Sequence, residues 1–381
     1  MAWKIVNLSD VAEQVRRPEV PQAGTPYRQI GVRLWGQGAY QRETIDGSET
    51  KYPALYEVRS GDIIVNKIWA RNGSISVIPD DLDGSFGSSE FPTFSIDKSS
   101  LLPDWFKWFS KTKNLWAQCE KLSRGTSGQN RLRPERFLEV RLPLPTLEEQ
   151  RRIAGRLDRL QALIQKRREA IAAVDADLDS LLLKAFERVI ADAPYRPMSE
   201  VAPLVRRPVT EIDPDGSYPE LGVRSFGRGT FHKPALAGIE VGTKRLFRIE
   251  SGDVVFNNVF AWEGAVAIAQ PQDDQRVGSH RFITCVPDPK LATAHFLLFH
   301  FLTPPGLQQL GEASPGGAGR NRTLGLKRLA AIMIPAPPIE AQHRFNSLLA
   351  KARRARSIRE ETSKEVEALT SAVLREAFGN V

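Results

Sequence analysis

A chain of 381 residues exceeds what one ordinary core accommodates, and 41% hydrophobic residues suffice to build two or three domains. Its two cysteines, Cys119 and Cys285, lie far apart and show no metal-ligand spacing, so no disulfide framework is expected and a reducing cytoplasm is the natural compartment. Neither Met1–Asp10 nor any later stretch has the apolar run of a signal peptide or a membrane span. The net charge is +8, yet the most basic segment, residues 1–145, carries only 20 basic against 17 acidic side chains. A nucleic-acid footprint must therefore come from local clustering rather than from a basic arm.

Internal similarity organises the rest of the chain. Ile30-Gly31-Val32-Arg33 recurs as Leu221-Gly222-Val223-Arg224, and Ser60-Gly61-Asp62-Ile63-Ile64-Val65-Asn66 recurs as Ser251-Gly252-Asp253-Val254-Val255-Phe256-Asn257, both at an offset of 191. Ala70, Gly73 and Gly87-Ser88 match Ala261, Gly264 and Gly278-Ser279. Pro143, Pro145, Glu148 and Gln150 recur at an offset of 192 as Pro335, Pro337, Glu340 and Gln342, and Ala185-Phe186 is echoed by Ala377-Phe378. One register held over so many blocks marks a tandem duplication.

In chain order, each copy opens with a Gly- and Pro-rich globular part. Its short β-type runs include Ile63-Ile64-Val65 and Ile75-Ser76-Val77-Ile78, and Gly61-Asp62 reads as a turn opening a buried strand. Trp105 to Phe109 reads as a helical piece, with Trp105, Trp108 and Trp116 assigned to the core and Trp35 and Trp69 left open. Pro143 and Pro145 end a strand, and Thr146-Leu147-Glu148-Glu149 fits a capping box that starts a helix. Apolar residues then fall at Ile153, Leu157, Leu160, Ile164, Ile171, Val174, Leu178 and Leu181, the spacing of a coiled-coil seam interrupted at Arg167. A helix over residues 146–189 would be ~65 Å long at ~1.5 Å per residue. The second copy keeps Phe345, Leu349, Ala352, Val366, Leu369 and Val373 but has Pro338 in place of the capping threonine. Neither helix can bury its stripe alone. Each folds back on its own domain, or the two pack on each other as an antiparallel pair, which the length of the stripe favours. The expected class is α+β, with two tandem mixed α/β domains (1–145 and 190–338), each followed by a long helix (146–189 and 339–381).

This arrangement resembles the specificity subunit of type I restriction–modification enzymes. The resemblance rests on Leu142-Pro143-Leu144-Pro145 followed by Glu149-Gln150-Arg151-Arg152-Ile153, on its echo Ile334-Pro335-Ala336-Pro337 with Glu340-Ala341-Gln342, and on the paired Ser-Gly-Asp turns. It implies that each globular unit is a target recognition domain for one half of a split duplex DNA site. It also implies that the helices fix the gap between halves and dock two methyltransferase subunits and two motor-nuclease restriction subunits. S-adenosylmethionine, ATP and magnesium would then sit on those partners, and this chain would bind no cofactor or metal.

Direct readout needs side chains whose donors and acceptors reach groove edges, and phosphate contacts need Lys, Arg, Ser and backbone amides. Four loop clusters of the first copy carry that equipment: Arg33, Trp35 and Gln37; Asn66, Lys67, Trp69 and Arg71; Ser88 and Ser89 beside Glu90; and the run with Arg124, Gln129, Asn130 and Arg131. Counterparts in the second copy are Arg224, Arg228 and Lys233; Asn257, Asn258 and Trp262; Ser279, His280 and Arg281; and Arg320, Asn321 and Arg322. Framework positions repeat whereas contact positions differ: Lys67 faces Asn258, Trp69 faces Phe260 and Glu90 faces Arg281. One scaffold with two sets of loops should read two different half-sites.

No phosphate-binding loop ending in Gly-Lys-Ser/Thr is present, nor is the Asn/Asp-Pro-Pro-aromatic motif of adenine methyltransferases, and the five histidines have no metal-binding company. The chain is expected to be non-catalytic. Two other readings stay open: a specificity subunit of a methylation-only or other phage-defence assembly, and a non-DNA scaffold on a coiled coil.

Overall fold

The computed structural model describes residues 3–123, 130–317 and 322–378. The chain divides into two compact units, residues 1–170 with 360–381 and residues 171–359. The first runs β1 (Lys4–Asn7), β2 (Ala12–Val15), β3 (Pro18–Glu19), β4 (Pro26–Val32), β5 (Ala39–Asp46), β6 (Leu55–Glu57), β7 (Ile63–Val65), β8 (Ile75–Val77), β9 (Phe86–Gly87), β10 (Thr93–Ile96), α1 (Pro103–Phe109), α2 (Lys113–Ser123), α3 (Pro134–Phe137), β11 (Arg141–Leu144) and the start of α4 (Leu147–Ile190). The second follows with β12 (Tyr195–Pro197), α5 (Met198–Val201), β13 (Leu204–Val205), β14 (Ser217–Val223), β15 (Thr230–Ala237), α6 (Gly238–Val241), β16 (Leu246–Arg248), β17 (Val254–Asn257), β18 (Val266–Ile268), β19 (Val277–Ser279), β20 (Phe282–Cys285), α7 (Ala294–Leu302), α8 (Pro304–Glu312), α9 (Leu326–Ala330), β21 (Met333–Pro335) and α10 (Ile339–Phe378).

Each unit pairs a four-stranded antiparallel sheet with a second sheet built on a long hairpin. The first sheets are ordered β2-β10-β7-β8 and β13-β20-β17-β18. The hairpins β4–β5 and β14–β15 bulge at matching points, between Arg28 and Ile30 and between Pro219 and Leu221. Each hairpin joins its sheet through a single parallel pairing, Gln29 with Phe86 and Glu220 with Val277. A bulge increases the local twist of the hairpin.

The repeated sequence blocks now have physical reasons. At Gly31 a Cβ would come within 2.7 Å of the Tyr40 ring, and at Gly222 within 2.2 Å of the Phe231 ring. Only glycine lets these rings lie across the strand, and the Arg33 and Arg224 guanidiniums then stack on them at 4.3 and 4.7 Å. In the Ser-Gly-Asp turns, Asp62 and Asp253 are buried and paired at 2.7 Å with Arg17 and Arg207. Burial pushes the Asp62 carboxyl up, against the pull of Arg17. The Arg207 guanidinium is raised by its hydrogen bond to Asp253.

Gln150 and Gln342 are fully buried and join each long helix to its domain. Gln150 Oε1 accepts the Leu102 amide at 2.8 Å, and its Nε2 donates to the Ser100 and Pro145 carbonyls. Gln342 does the same with Thr293, Leu291 and Pro337. The capping threonine works as expected, with Thr146 Oγ1 accepting the Glu149 amide at 3.3 Å. Trp105 and Trp108 lie in the core of the first unit, stacked or packed around Phe109 and Phe378.

In the first unit, Ile153, Ala154 and Leu157 at the start of α4 share a core with Val373 and Phe378 at the end of α10. In the second, Leu182 and Phe186 near the end of α4 share one with Phe345, Leu349 and Ala352 at the start of α10. The two helices therefore pair antiparallel within each unit. The expected seam is corrected at three positions. Val174, Leu181 and Leu369 are exposed (48%, 57% and 51%), while Asp175 and Leu182 take the inward places on α4. The inward places on α4 run Ile171, Asp175, Leu178, Leu182 and Phe186, with a four-residue step after Ile171 where the expected seam has three. Asp175 there accepts Arg356 and Arg359, and Asp179 lies 2.6 Å from Arg356.

Candidate nucleic-acid interface

Backbone hydrogen bonds assemble the four loop clusters of each unit into one junction, with the same pattern in both. The hairpin tip is closed by the Arg33 amide on the Gly38 carbonyl at 2.9 Å and tied to the turn at 70–72 by Trp35 on Asn72 (2.7 Å) and Gly36 on Gly73 (3.0 Å). The second unit repeats these as Arg224 on Gly229 (3.0 Å), Phe226 on Glu263 (2.8 Å) and Gly227 on Gly264 (2.9 Å). The loop after β7 then bridges the other two clusters. Lys67 donates to Glu90 O at 3.1 Å and accepts from the Leu132 amide at 2.8 Å, while Asn258 donates to Arg281 O and accepts from Leu324, both at 2.8 Å. A frame made of main-chain bonds does not depend on which side chains it displays.

Several candidate residues are occupied in shaping this junction. Asn66 Oδ1 accepts the Ile68 and Trp69 amides and Asn257 Oδ1 accepts that of Val259, so each closes its own turn. Arg71 donates to the Asn130 carbonyl at 3.2 Å, Arg224 to that of Thr230 at 2.7 Å, and Arg322 to those of Gly311 and Ser314. The Trp262 indole donates to Val259 O and lies beneath the Arg322 guanidinium at 5.2 Å. Ser88 and Ser279 hydroxyls accept the Glu90 and Arg281 amides. Facing outward are Arg33, Trp35, Gln37, Trp69, Ser89, Asn130 and Arg131 in the first unit and Arg224, Arg228, His280 and Arg281 in the second. Arg124, Gln129, Arg320 and Asn321 lie outside the described residues.

The two junctions differ in electrostatics. In the first, Glu90 Oε1 lies 3.3 Å from Arg131 and 3.6 Å from Lys67, so one central acid pairs with two cations. In the second, Lys233, Asn257, His280 and Arg281 line a recess with Lys244, walled by Phe231, Phe260 and Phe282. Sequence reasoning missed Phe226, which is 69% exposed and stands where the first unit has Trp35, itself 57% exposed. The signal was available, because 226 is 35 plus the repeat offset. Both residues hold a left-handed backbone, φ 60° for Trp35 and 61° for Phe226. A non-glycine residue there carries a strain of roughly 1–2 kcal/mol.

Residues 2–173 match the family of the type I restriction modification DNA specificity domain. Over those residues the chain is similar to that domain. The internal repeat gives the second half the same four-stranded sheet order, the same bulged hairpin and the same junction, so that frame occurs twice. None of the curated proteins matches in sequence. Among solved structures, the HsdS subunit from Thermoanaerobacter tengcongensis is similar over all of this chain and 97% of its own, with a TM-score of 0.59 at 21% identity. A second structure, described as the structural basis of complex assembly and conformational transition of the type I R-M system, covers all of this chain and 98% of its own, with a TM-score of 0.70 at 19% identity. At these identities the likeness is one of fold. Among the described residues, no helix is long and apolar enough to cross a membrane, and no cluster of His, Cys, Asp or Glu could hold a metal ion.

Proposed function

We propose that this chain is the DNA-reading subunit of a type I restriction–modification complex and recognises a split, asymmetric duplex site. Residues 1–145 read one half and residues 190–338 the other. The single observation that carries the reading is the pair of junctions, which share five main-chain bonds while their displayed side chains differ, Lys67 against Asn258, Ser89 against His280 and Glu90 against Arg281. A frame kept through duplication with altered display suits two half-sites of different sequence. Arginine prefers guanine edges, asparagine prefers adenine, and a carboxylate accepts from the cytosine amino group.

The helices over 146–189 and 339–381 set the gap between the half-sites and dock two methyltransferase subunits, which supply S-adenosylmethionine. Two restriction subunits join for ATP- and magnesium-dependent cleavage. Buried Gln150 and Gln342 support the ruler, because each makes the helix start rigid with its own domain. Chemistry resides on the partners, and this chain supplies sequence and spacing in the cytoplasm.

The test is methylation mapping of a host that expresses this chain with its neighbouring methyltransferase. A new split motif is expected, and lengthening α4 by one or two turns should widen the gap without altering either half. No new motif from an intact complex would overturn the reading, and an unchanged gap would overturn the ruler.

A further inference from the structure

Contact positions that differ between the two junctions suit sequence discrimination, whereas a contact position that stays the same suits something met identically at both half-sites. Trp35 and Phe226 are such a pair. Among the described residues only three non-glycines have positive φ, and two of them are this repeat-related pair. Neighbouring left-handed positions of the same junctions are filled by glycine, at Gly36, Gly38 and Gly73 and at Gly227, Gly229 and Gly264. An aromatic residue has been kept at this one position in both copies, where glycine would relieve the backbone.

The side chains are not spent on the core. Trp35 only leans on Trp116, with ring centroids 6.0 Å apart, and Phe226 is 69% exposed. Each tip carries cations. Arg33 and Arg224 stand two residues earlier, and Arg228 lies over the Phe226 ring at 5.7 Å. The main-chain bonds to residues 72 and 263 place each tip beside the outward residues of its junction. An exposed aromatic among cations fits a polyanion with flat faces, and stacking on a base or sugar tolerates every sequence.

We infer that Trp35 and Phe226 are sequence-independent DNA anchors, each stacking on a nucleotide of its half-site while the surrounding loops read the bases. This rests on the DNA-reading function proposed above. It is tested in the full chain assembled with its methyltransferase, by substituting Trp35→Gly and Phe226→Gly and titrating the mapped duplex and a random duplex. Glycine suits φ near +60°, so both variants should melt no earlier than the parent. Each should weaken binding about ten-fold on both duplexes alike, with the salt slope and the methylated motif unchanged. Trp35→Phe, the residue of the second copy, should restore most of the loss.

Unchanged affinity in the glycine variants would overturn the inference. So would loss of methyltransferase assembly, which would make the tips protein contacts, and so would an altered half-site, which would make them readers. If the unsubstituted complex bound no duplex, the proposed function itself would fail instead.

Discussion

The two junctions hang on equivalent main-chain bonds and yet carry opposite charges at one matching position, Glu90 against Arg281. In the first unit Glu90 draws in Lys67 and Arg131, whereas at the matching place of the second unit Arg281 is exposed beside His280 and a recess lined by Lys233 and Lys244. Inverting a charge inside a packed core would cost several kcal/mol. Here it is tolerated because the loop geometry comes from amide–carbonyl pairs, such as Lys67 on Glu90 and Asn258 on Arg281, which survive any substitution except proline. The frame thus depends little on the side chains it displays, and under the proposed function that separation would let one duplicated fold serve two DNA sequences.

The largest effects should fall on the frame and be equal in both units. Gln150→Leu and Gln342→Leu each remove three buried hydrogen bonds, a loss of about 3 kcal/mol at roughly 1 kcal/mol per bond. Hydrogen exchange of the full chain should show matched loss of protection at the start of α4 or of α10. A large loss for one and none for the other would break the equivalence.

The reading heads come next. Glu90→Arg should shift one position of the first half-site toward guanine and leave the second half-site and the gap untouched, with a change of about 1–3 kcal/mol in base preference. Arg281→Glu should do the converse. Methylation mapping reads both, and an unaltered motif would reduce Glu90 to a clamp for Lys67 and Arg131.

A smaller effect is expected in the helix pair of the second unit. Asp175→Ala strips Arg356 and Arg359 of a partner that is 37% exposed, so solvent screening limits the cost to about 1 kcal/mol. Urea unfolding measures it, and no loss would show that these pairs fix register without adding stability.

Acid should separate the units most gently. Burial lowers the pKa of His300 below 6.5 in spite of Gln309, and burial and Arg353 lower that of His295. The unfolded chain therefore takes up these protons first, so stability is present above about pH 6.5 and is lost as pH falls below it. Burial would raise the pKa of Asp273, but the Gln270 amide, the Thr230 hydroxyl and His232 overcome it and hold the carboxyl below 3.8, a loss at lower pH that Asp46 and Asp97 of the first unit, lowered by serine hydrogen bonds, share. The first unit has Asp104, Phe109 and Leu82 at these places. Hydrogen exchange at about pH 7.5 and about pH 5.5 should show the second unit losing more protection, and His300→Phe should narrow the gap. Equal losses would contradict this account.

Much of the architecture was legible because its signals are local. The repeat register, the proline strand ends at Pro143 and Pro335 and the long apolar stripes each announce an element without knowledge of its neighbours. The phase slip at Asp175 was not legible, since Val174 and Asp175 are distinguished only by what Arg356 and Arg359 offer opposite them. Strand order was hidden for the same reason, because the parallel contact of β4 with β9 rests on one residue pair distant in sequence. In the candidate interface, residue type drew attention to polar Gly-rich loops but could not tell a displayed side chain from one closing its own turn, as Asn66 and Asn257 do. It also passed over Phe226, whose exposure comes from backbone geometry that hydropathy does not encode.

The separation of frame from reading heads is tested most directly by a loop graft. The outward residues of the first junction, Arg33, Trp35, Gln37, Trp69, Ser89 and Arg131, are placed with the central Lys67 and Glu90 at the matching positions of the second, and the methylated motif is mapped in a host with the methyltransferase. A motif in which the second half-site has become the first, at an unchanged gap, is the predicted result. An intact, assembled complex that keeps its original second half-site would contradict the account.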